Sequence, residues 1–213
     1  MAEKNKMKII ALTGHKQNGK TTAVNYLEKY FTSKGFNVRR INFKDSLIDE
    51  MKSKLPDTIE QIRLLYSYHK DYRKTRAMYN GDPDKDFTEW SVDELFEKKP
   101  PIFRALMQNY GTDIRRSDDP SYWINKYITS CSIADVEGNI DIVLTDDVRF
   151  PNEKETIEKS GGLLLRVVRV GVENDKTHES ESYIDSFDCE CILAENVQEL
   201  QEKIDIWLTK NNL

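Results

Sequence analysis

The stretch MKIIALTGHKQNGKTT, residues 7–22, decides the fold. Met7 to Leu12 is a short apolar run that ends at Gly14, and beyond a polar loop Val24, Leu27 and Phe31 recur at helical spacing until Gly35 supplies a stop. The order is strand, loop, helix. Within the loop, Gly14, His15, Lys16, Gln17, Asn18, Gly19, Lys20 and Thr21, followed by Thr22, fit the pattern G-x-x-x-x-G-K-[ST]. Two glycines let the backbone fold tightly enough for successive N–H groups to face phosphate oxygens, and the next helix adds the positive end of its dipole. Lys20 then reaches the β and γ phosphates of ATP, and the Thr21 hydroxyl ligates Mg²⁺. A polar turn matching by accident is the alternative, and the position between a buried strand and a helix argues against it.

Working outward, Asn37 to Phe43 follows the helix closely and reads as a second strand, so the unit is βαβ and the sheet parallel. From Asp45 to about Ser132 the pattern turns helical and polar, with breaks at Gly81 to Asp86 and at Pro100 and Pro101. This is a helical insertion, about 45–132. Alternation resumes with strands at Ile140 to Thr145, Leu163 to Val170 and Cys189 to Leu193, and a helix from Asn152 to Lys159 closed by Gly161 and Gly162. Val197, Leu200, Ile204, Trp207 and Leu208 mark an amphipathic terminal helix. The expected fold is α/β: a doubly wound, five-stranded parallel sheet with helices on both faces, one domain over 1–213.

Composition bounds the possibilities. The 213 residues carry 32 Lys plus Arg against 37 Asp plus Glu, a net charge of −5, which argues against broad nucleic-acid binding. Three Trp, ten Tyr and eight Phe supply bulk for a core and exclude a disordered or fibrous chain. No run approaches a membrane span and the start MAEKNK lacks the apolar centre of a secretory signal, so a soluble, cytoplasmic protein is expected. Cys131, Cys189 and Cys191 form no paired framework and match no familiar zinc spacing. Reduced thiols acting as small hydrophobes are the better reading.

A magnesium ion shared by two phosphates needs carboxylates to orient its waters, and Asp146 and Asp147 close a buried strand. Consecutive strand residues point to opposite faces, so one of the two faces the phosphates, and Asp147 is favoured. The following run, Asp147-Val148-Arg149-Phe150, is no D-x-x-G, and N-K-x-D is absent, so the chain is not a GTPase. A small phosphotransferase remains. If its acceptor is itself phosphorylated, arginine forks should gather the charge. Arg104, Arg115, Arg116, Arg149, Arg166 and Arg169 are candidates, although an arginine on a solvated helix face is the common case. Arg149 lies two residues past the acidic strand end, at the ligand-binding edge of the sheet. Arg169 precedes the polar loop Gly171 to Thr177, which could close over ATP and exclude water.

With these residues in view, the chain resembles the deoxynucleoside monophosphate kinases of bacteriophages and some bacteria, within the P-loop nucleoside monophosphate kinase-like fold. The likeness rests on Gly14 to Thr22, on Gln108-Asn109-Tyr110-Gly111-Thr112-Asp113-Ile114-Arg115-Arg116, on Asp147-Val148-Arg149-Phe150-Pro151-Asn152-Glu153, and on His178-Glu179-Ser180-Glu181. It implies transfer of the γ-phosphate of ATP to a deoxynucleoside 5′-monophosphate. Carried over by position, Lys20 and Thr21 bind phosphate and magnesium, Asp147 supports the metal, and Arg149 faces the reacting phosphates. Arg104, Arg115 and Arg116 hold the acceptor phosphate in the insertion, with Tyr110 and Trp123 as walls for its base. Arg169 and His178 to Glu181 look like a lid, about 169–182; for His178 a structural role as a loop residue bonded to Glu181 is favoured over direct chemistry.

The stretch Tyr66 to Asn80 is longer than that family leads one to expect. Lys70, Arg73, Lys74 and Arg76 read first as a solvated helix face and second as a grip on acceptor phosphate. The tyrosines among them offer a surface to a base or to a second copy of the chain in a homodimer. Two rivals remain: another small P-loop kinase such as a phosphomevalonate kinase, and a regulator that binds ATP without turning it over.

Overall fold

Thr13 ends the central strand of a sheet in which every pairing is parallel. The computed structural model describes residues 7–54, 91–172 and 179–213. Strands β1 (Lys8–Thr13), β2 (Val38–Arg40), β3 (Ile142–Val148), β4 (Leu163–Arg169) and β5 (Glu190–Ala194) lie in the order β2-β3-β1-β4-β5. Because β1 is covered on both faces, its sequence is a continuous apolar run. Ile10 and Leu12 pack with Val24 and Leu27 of α1 (Lys20–Ser33) and Ile204 of α8 (Val197–Lys210). Ile9 and Ala11 point the other way, to Tyr127 of α5 (Tyr122–Glu137) and Ile157 of α6 (Pro151–Lys159). The expected doubly wound α/β architecture is the observed one.

Among the boundaries that differ from the periodicity reading, two bear on the site. The second strand stops at Arg40, because Phe43 already opens helix α2 (Phe43–Lys54) and stacks on Tyr127 at 4.1 Å between ring centroids. The third strand runs on to Val148, through both aspartates. Its register against β1 slips from Ala11 opposite Thr145 to Thr13 opposite Val148, so three steps of β3 match two of β1. A bulge of this kind suspends strict alternation. The argument that only one of Asp146 and Asp147 can face the phosphates therefore fails at this position.

The chain divides into two units, 1–43 with 124–213, and 44–123. The second contains most of α2, then α3 (Val92–Lys98), α4 (Pro101–Gln108) and a π-helical stretch, Asn109–Arg116. Ser91 opens α3 with a capping box: its hydroxyl accepts the Glu94 N–H at 3.2 Å, and the Glu94 carboxylate accepts the Ser91 N–H at 2.8 Å. Met51, Leu95, Phe96, Phe103, Met107, Tyr110 and Trp123 form this unit's own core. The insertion ends near Trp123 rather than Ser132, because Ile124, Tyr127, Cys131 and Ala134 turn into the core of the first unit. The basic, tyrosine-rich stretch 66–80 lies outside the described residues.

Candidate active site

The loop after β1 is held in shape by its own side chains. Gly14 has φ +147°, and a Cβ there would lie 2.4 Å from the Val167 carbonyl oxygen of the neighbouring strand, so only glycine fits. Lys20 Nζ donates to the carbonyls of Gly14 at 2.6 Å and His15 at 2.7 Å, which draws the ammonium over the loop. Asn18, 2% exposed, spends its amide on the Lys16 carbonyl and accepts the Arg169 N–H at 2.8 Å. Arg169 itself is exposed, as is Thr21 at the first turn of α1. Beside the loop opens a cavity of about 230 Å³ lined by Asn18, Gly19, Thr22, Val168, Arg169 and Asn196, among others.

His15 was singled out only as a loop position, yet it is 1% exposed and gripped from both sides. Its Nδ1 lies 3.2 Å from Glu181 Oε2 and its Nε2 2.9 Å from Asp185 Oδ1. Glu181 also pairs through Oε1 with Arg149 Nη1. No local pattern marks these contacts, since 166 positions separate His15 from Glu181. Arg166, one of the candidate arginines, donates to the Ile184 and Asp185 carbonyls at 3.3 and 3.0 Å and so braces the turn that carries Asp185. His178 lies outside the described residues.

At the end of β3, Asp147 is 8% exposed and its Oδ1 accepts the Phe43 N–H at 3.1 Å, capping α2. Asp146 is half-buried, with its N–H donated to Asn42 Oδ1 at 2.8 Å. The sequence Val148 to Glu153 then makes a tight entry to α6. Pro151 occupies the first turn, and Glu153, 2% exposed, accepts the N–H groups of Arg149 at 2.7 Å and Phe150 at 3.1 Å. Glu153 thus fixes the backbone from which Arg149 springs. Glu153→Ala is expected to lose about 1–3 kcal/mol by orphaning two backbone donors. Urea unfolding and turnover measured together should show lower stability and a lower kcat, whereas Glu153→Gln, which keeps an acceptor oxygen, should recover most of both.

The second unit gathers a different cluster. Glu50, 6% exposed, accepts from Tyr110 Oη at 2.7 Å, Arg115 Nη2 at 2.5 Å and Tyr122 Oη at 2.5 Å. Arg115 Nε and Nη2 also donate to Tyr110 Oη, and its guanidinium sits 5.1 Å from the ring centroids of both Tyr110 and Tyr122. Burial and the Glu50 hydrogen bond raise the Tyr110 phenol above its usual pKa, and the Glu50 hydrogen bond does the same first for Tyr122. Both therefore stay neutral donors. Gly111 packs closely on Leu47: a Cβ there would lie 3.2 Å from Leu47 Cδ2, so the leucine tip would have to give by a few tenths of an ångström. Trp123 is 3% exposed and donates Nε1–H to the Gly111 carbonyl at 2.9 Å, so it braces the π-helical stretch instead of presenting an open ring. Arg104 and Arg116 are half-buried on α4 and at the end of the π-helical stretch.

Oxygen donors are what Mg²⁺ takes, and Thr21 in the first turn of α1 with Asp146 and Asp147 at the end of β3 are the side chains that would hold it. Among the described residues no three acidic, histidine or cysteine side chains form a metal cluster. The thiols of Cys131, Cys189 and Cys191 are free, and burial raises the pKa of Cys131 and Cys189. Among the described residues no helix is long and apolar enough to cross a membrane.

A curated protein of Acanthamoeba polyphaga mimivirus, named "Putative deoxynucleotide monophosphate kinase", is 27% identical over 210 residues, covering 93% of this chain and 94% of its own. Among solved structures, a mutant of the Mycobacterium tuberculosis APS kinase CysC aligns over 95% of this chain and 97% of its own, with 9% identity and a TM-score of 0.40. The sequence model described as "Deoxynucleotide monophosphate kinase" matches residues 47–204, a span that starts after the phosphate loop and is therefore independent of it. The chain belongs to the deoxynucleotide monophosphate kinase family, a family of phosphotransferases.

Proposed function

We propose that the protein transfers the γ-phosphate of ATP to a deoxynucleoside 5′-monophosphate, yielding the diphosphate and ADP. The observation that carries this reading is the pairing of a glycine-built loop, with Lys20 drawn over it, and Arg149 on the neighbouring strand end, in a chain of this family. The acceptor phosphate is already an oxyanion and a competent nucleophile, so no strong general base is required. Positioning and charge neutralisation do the work. Residues Gly14 to Thr22 bind the triphosphate, and the cavity beside Asn18, Thr22 and Arg169 takes the donor base. Lys20 and Arg149 neutralise the transferring group. Arg169, whose backbone is pinned to Asn18, brings a third cation to the same edge. Mg²⁺, held by Thr21 and the carboxylate of Asp147, would shield charge between the phosphates of bound ATP.

The Arg115 cluster, with Tyr110, serves the acceptor, and Arg104 and Arg116 add positive charge in the same unit. Arg115 is fixed in orientation by Glu50 and two aromatic faces, so little side-chain entropy is lost when phosphate arrives. The test is a coupled ADP-release screen with dAMP, dCMP, dGMP, dTMP, 5-modified pyrimidine deoxynucleotides, the ribose counterparts and phosphomevalonate. Deoxynucleotides should give the highest kcat/KM. Preference for phosphomevalonate would replace this reading with the rival kinase, and ATP binding without any acceptor-dependent ADP would make the protein a regulator.

A further inference from the structure

We propose that Glu181 is a positioning residue that sets the Arg149 fork against the phosphate loop. The observation is one carboxylate with two partners: Oε2 faces Nδ1 of His15 inside the loop, and Oε1 pairs with Nη1 of Arg149 beyond β3. An arginine has several rotatable bonds and a large rotamer entropy, so an untethered Arg149 would spend little of its time aimed at a transferring phosphoryl group. Glu181 is suited to stop that wandering, because it is itself anchored. Its side chain is 12% exposed, and the imidazole it holds is 1% exposed and fixed on the opposite side by Asp185, at 2.9 Å from Nε2. Arg166 fastens the backbone at Asp185 in turn. The chain of contacts runs from β4 through the turn after α7 (Glu179–Ser182) to the loop, and from the loop through Glu181 to Arg149. A guanidinium has five N–H donors in a rigid fork, so a carboxylate on one edge and phosphate oxygens on another are compatible.

This role differs from that of the phosphate-binding groups. Glu181 is acidic, and facing two polyanions it gains nothing by direct contact. Its effect on rate must pass through Arg149. The inference rests on the proposed transfer to a deoxynucleoside monophosphate, and the two fail differently: a wild-type enzyme inactive with every acceptor defeats the function, whereas an active enzyme with the wrong mutant pattern defeats only the role of Glu181.

The experiment is a double-mutant cycle over Glu181→Ala and Arg149→Ala, read by transfer of label from ATP, with KM for both substrates and thermal melting recorded. Glu181→Ala should lower kcat about 10- to 100-fold with both KM values within about 3-fold, and the loss should nearly vanish in the Arg149→Ala background. Glu181→Gln should stay within about 5-fold of wild type, since an amide can accept from Arg149 and still bond the imidazole. Asp185→Ala, which removes the carboxylate from Nε2 of His15 and keeps the Glu181–Arg149 pair, should cost much less in kcat than Glu181→Ala. If Glu181→Ala melts below the assay temperature, Glu181→Asp replaces it in the cycle, being one methylene too short to span both partners, with the same non-additive loss expected. Equal losses with and without Arg149, an unchanged kcat in Glu181→Ala or its Asp substitute, or a loss in Asp185→Ala as large as in Glu181→Ala would overturn the proposal.

Discussion

Replacing Lys20 by alanine is expected to reduce phosphoryl transfer by about 10³-fold or more in kcat/KM and to leave the fold in place. The lysine is half-buried and donates to two carbonyls of the loop it serves, those of Gly14 and His15. Removing it forfeits two hydrogen bonds worth about 0.5–1.5 kcal/mol each. For a chain of this size that is a drop of a few degrees in Tm, about 2–4 °C per kcal/mol. The catalytic loss is larger because the Lys20 ammonium is the one drawn over the loop, whereas Lys16, the other lysine of the loop, is exposed. Turnover and melting measured on the same preparation separate the two effects. A Lys20→Ala protein that melts normally and retains near wild-type turnover would remove the loop from the mechanism.

Glu50→Ala should be the most damaging single change in the second unit. One carboxylate, 6% exposed, serves two phenols and a guanidinium, so its removal leaves two hydroxyls and a cation enclosed by aromatic rings without their common acceptor. Breaking a buried pair on one side costs about 3–5 kcal/mol, and because the Arg115 side chain is 26% exposed the expected loss is nearer 2–4. Arg115 should then lose its fixed orientation, raising KM for the acceptor at least about 10-fold while KM for ATP changes little. Urea unfolding followed by tryptophan fluorescence reports the first effect, since Trp123 is part of the same core. Steady-state kinetics report the second. A Glu50→Ala protein with an unchanged acceptor KM would mean that the cluster is only a structural brace.

The sequence was most readable where the chemistry is local. Sixteen residues from Met7 to Thr22 contain the strand, the turn and the helix start, and each is encoded within a few positions. Apolar β1 and the 3.6-residue spacing of Val24, Leu27 and Phe31 were enough to place them. The bulge at Asp146–Asp147 was not readable, because it depends on register against β1, a strand more than 130 positions away. The same distance problem hid the Glu50–Arg115 cluster and the buried histidine. Glu50 and Arg115 are 65 positions apart, and a lone glutamate in LIDEMKSK carries no mark of the partner it will meet. Trp123 looked like an aromatic wall by residue type, yet its indole N–H is committed to Gly111 and its ring to the core. Residue chemistry names the candidates, and only packing says which of them a ligand can reach.

The most direct test of the account follows the phosphorus atom itself. ATP labelled in the γ position is incubated with Mg²⁺, a deoxynucleoside monophosphate and either wild-type protein or Lys20→Ala, and the products are separated. The account predicts label in the β position of the deoxynucleoside diphosphate with wild type, one ADP per labelled product, and none above background with Lys20→Ala. Label recovered only as inorganic phosphate, or at the same rate with no acceptor present, would contradict it.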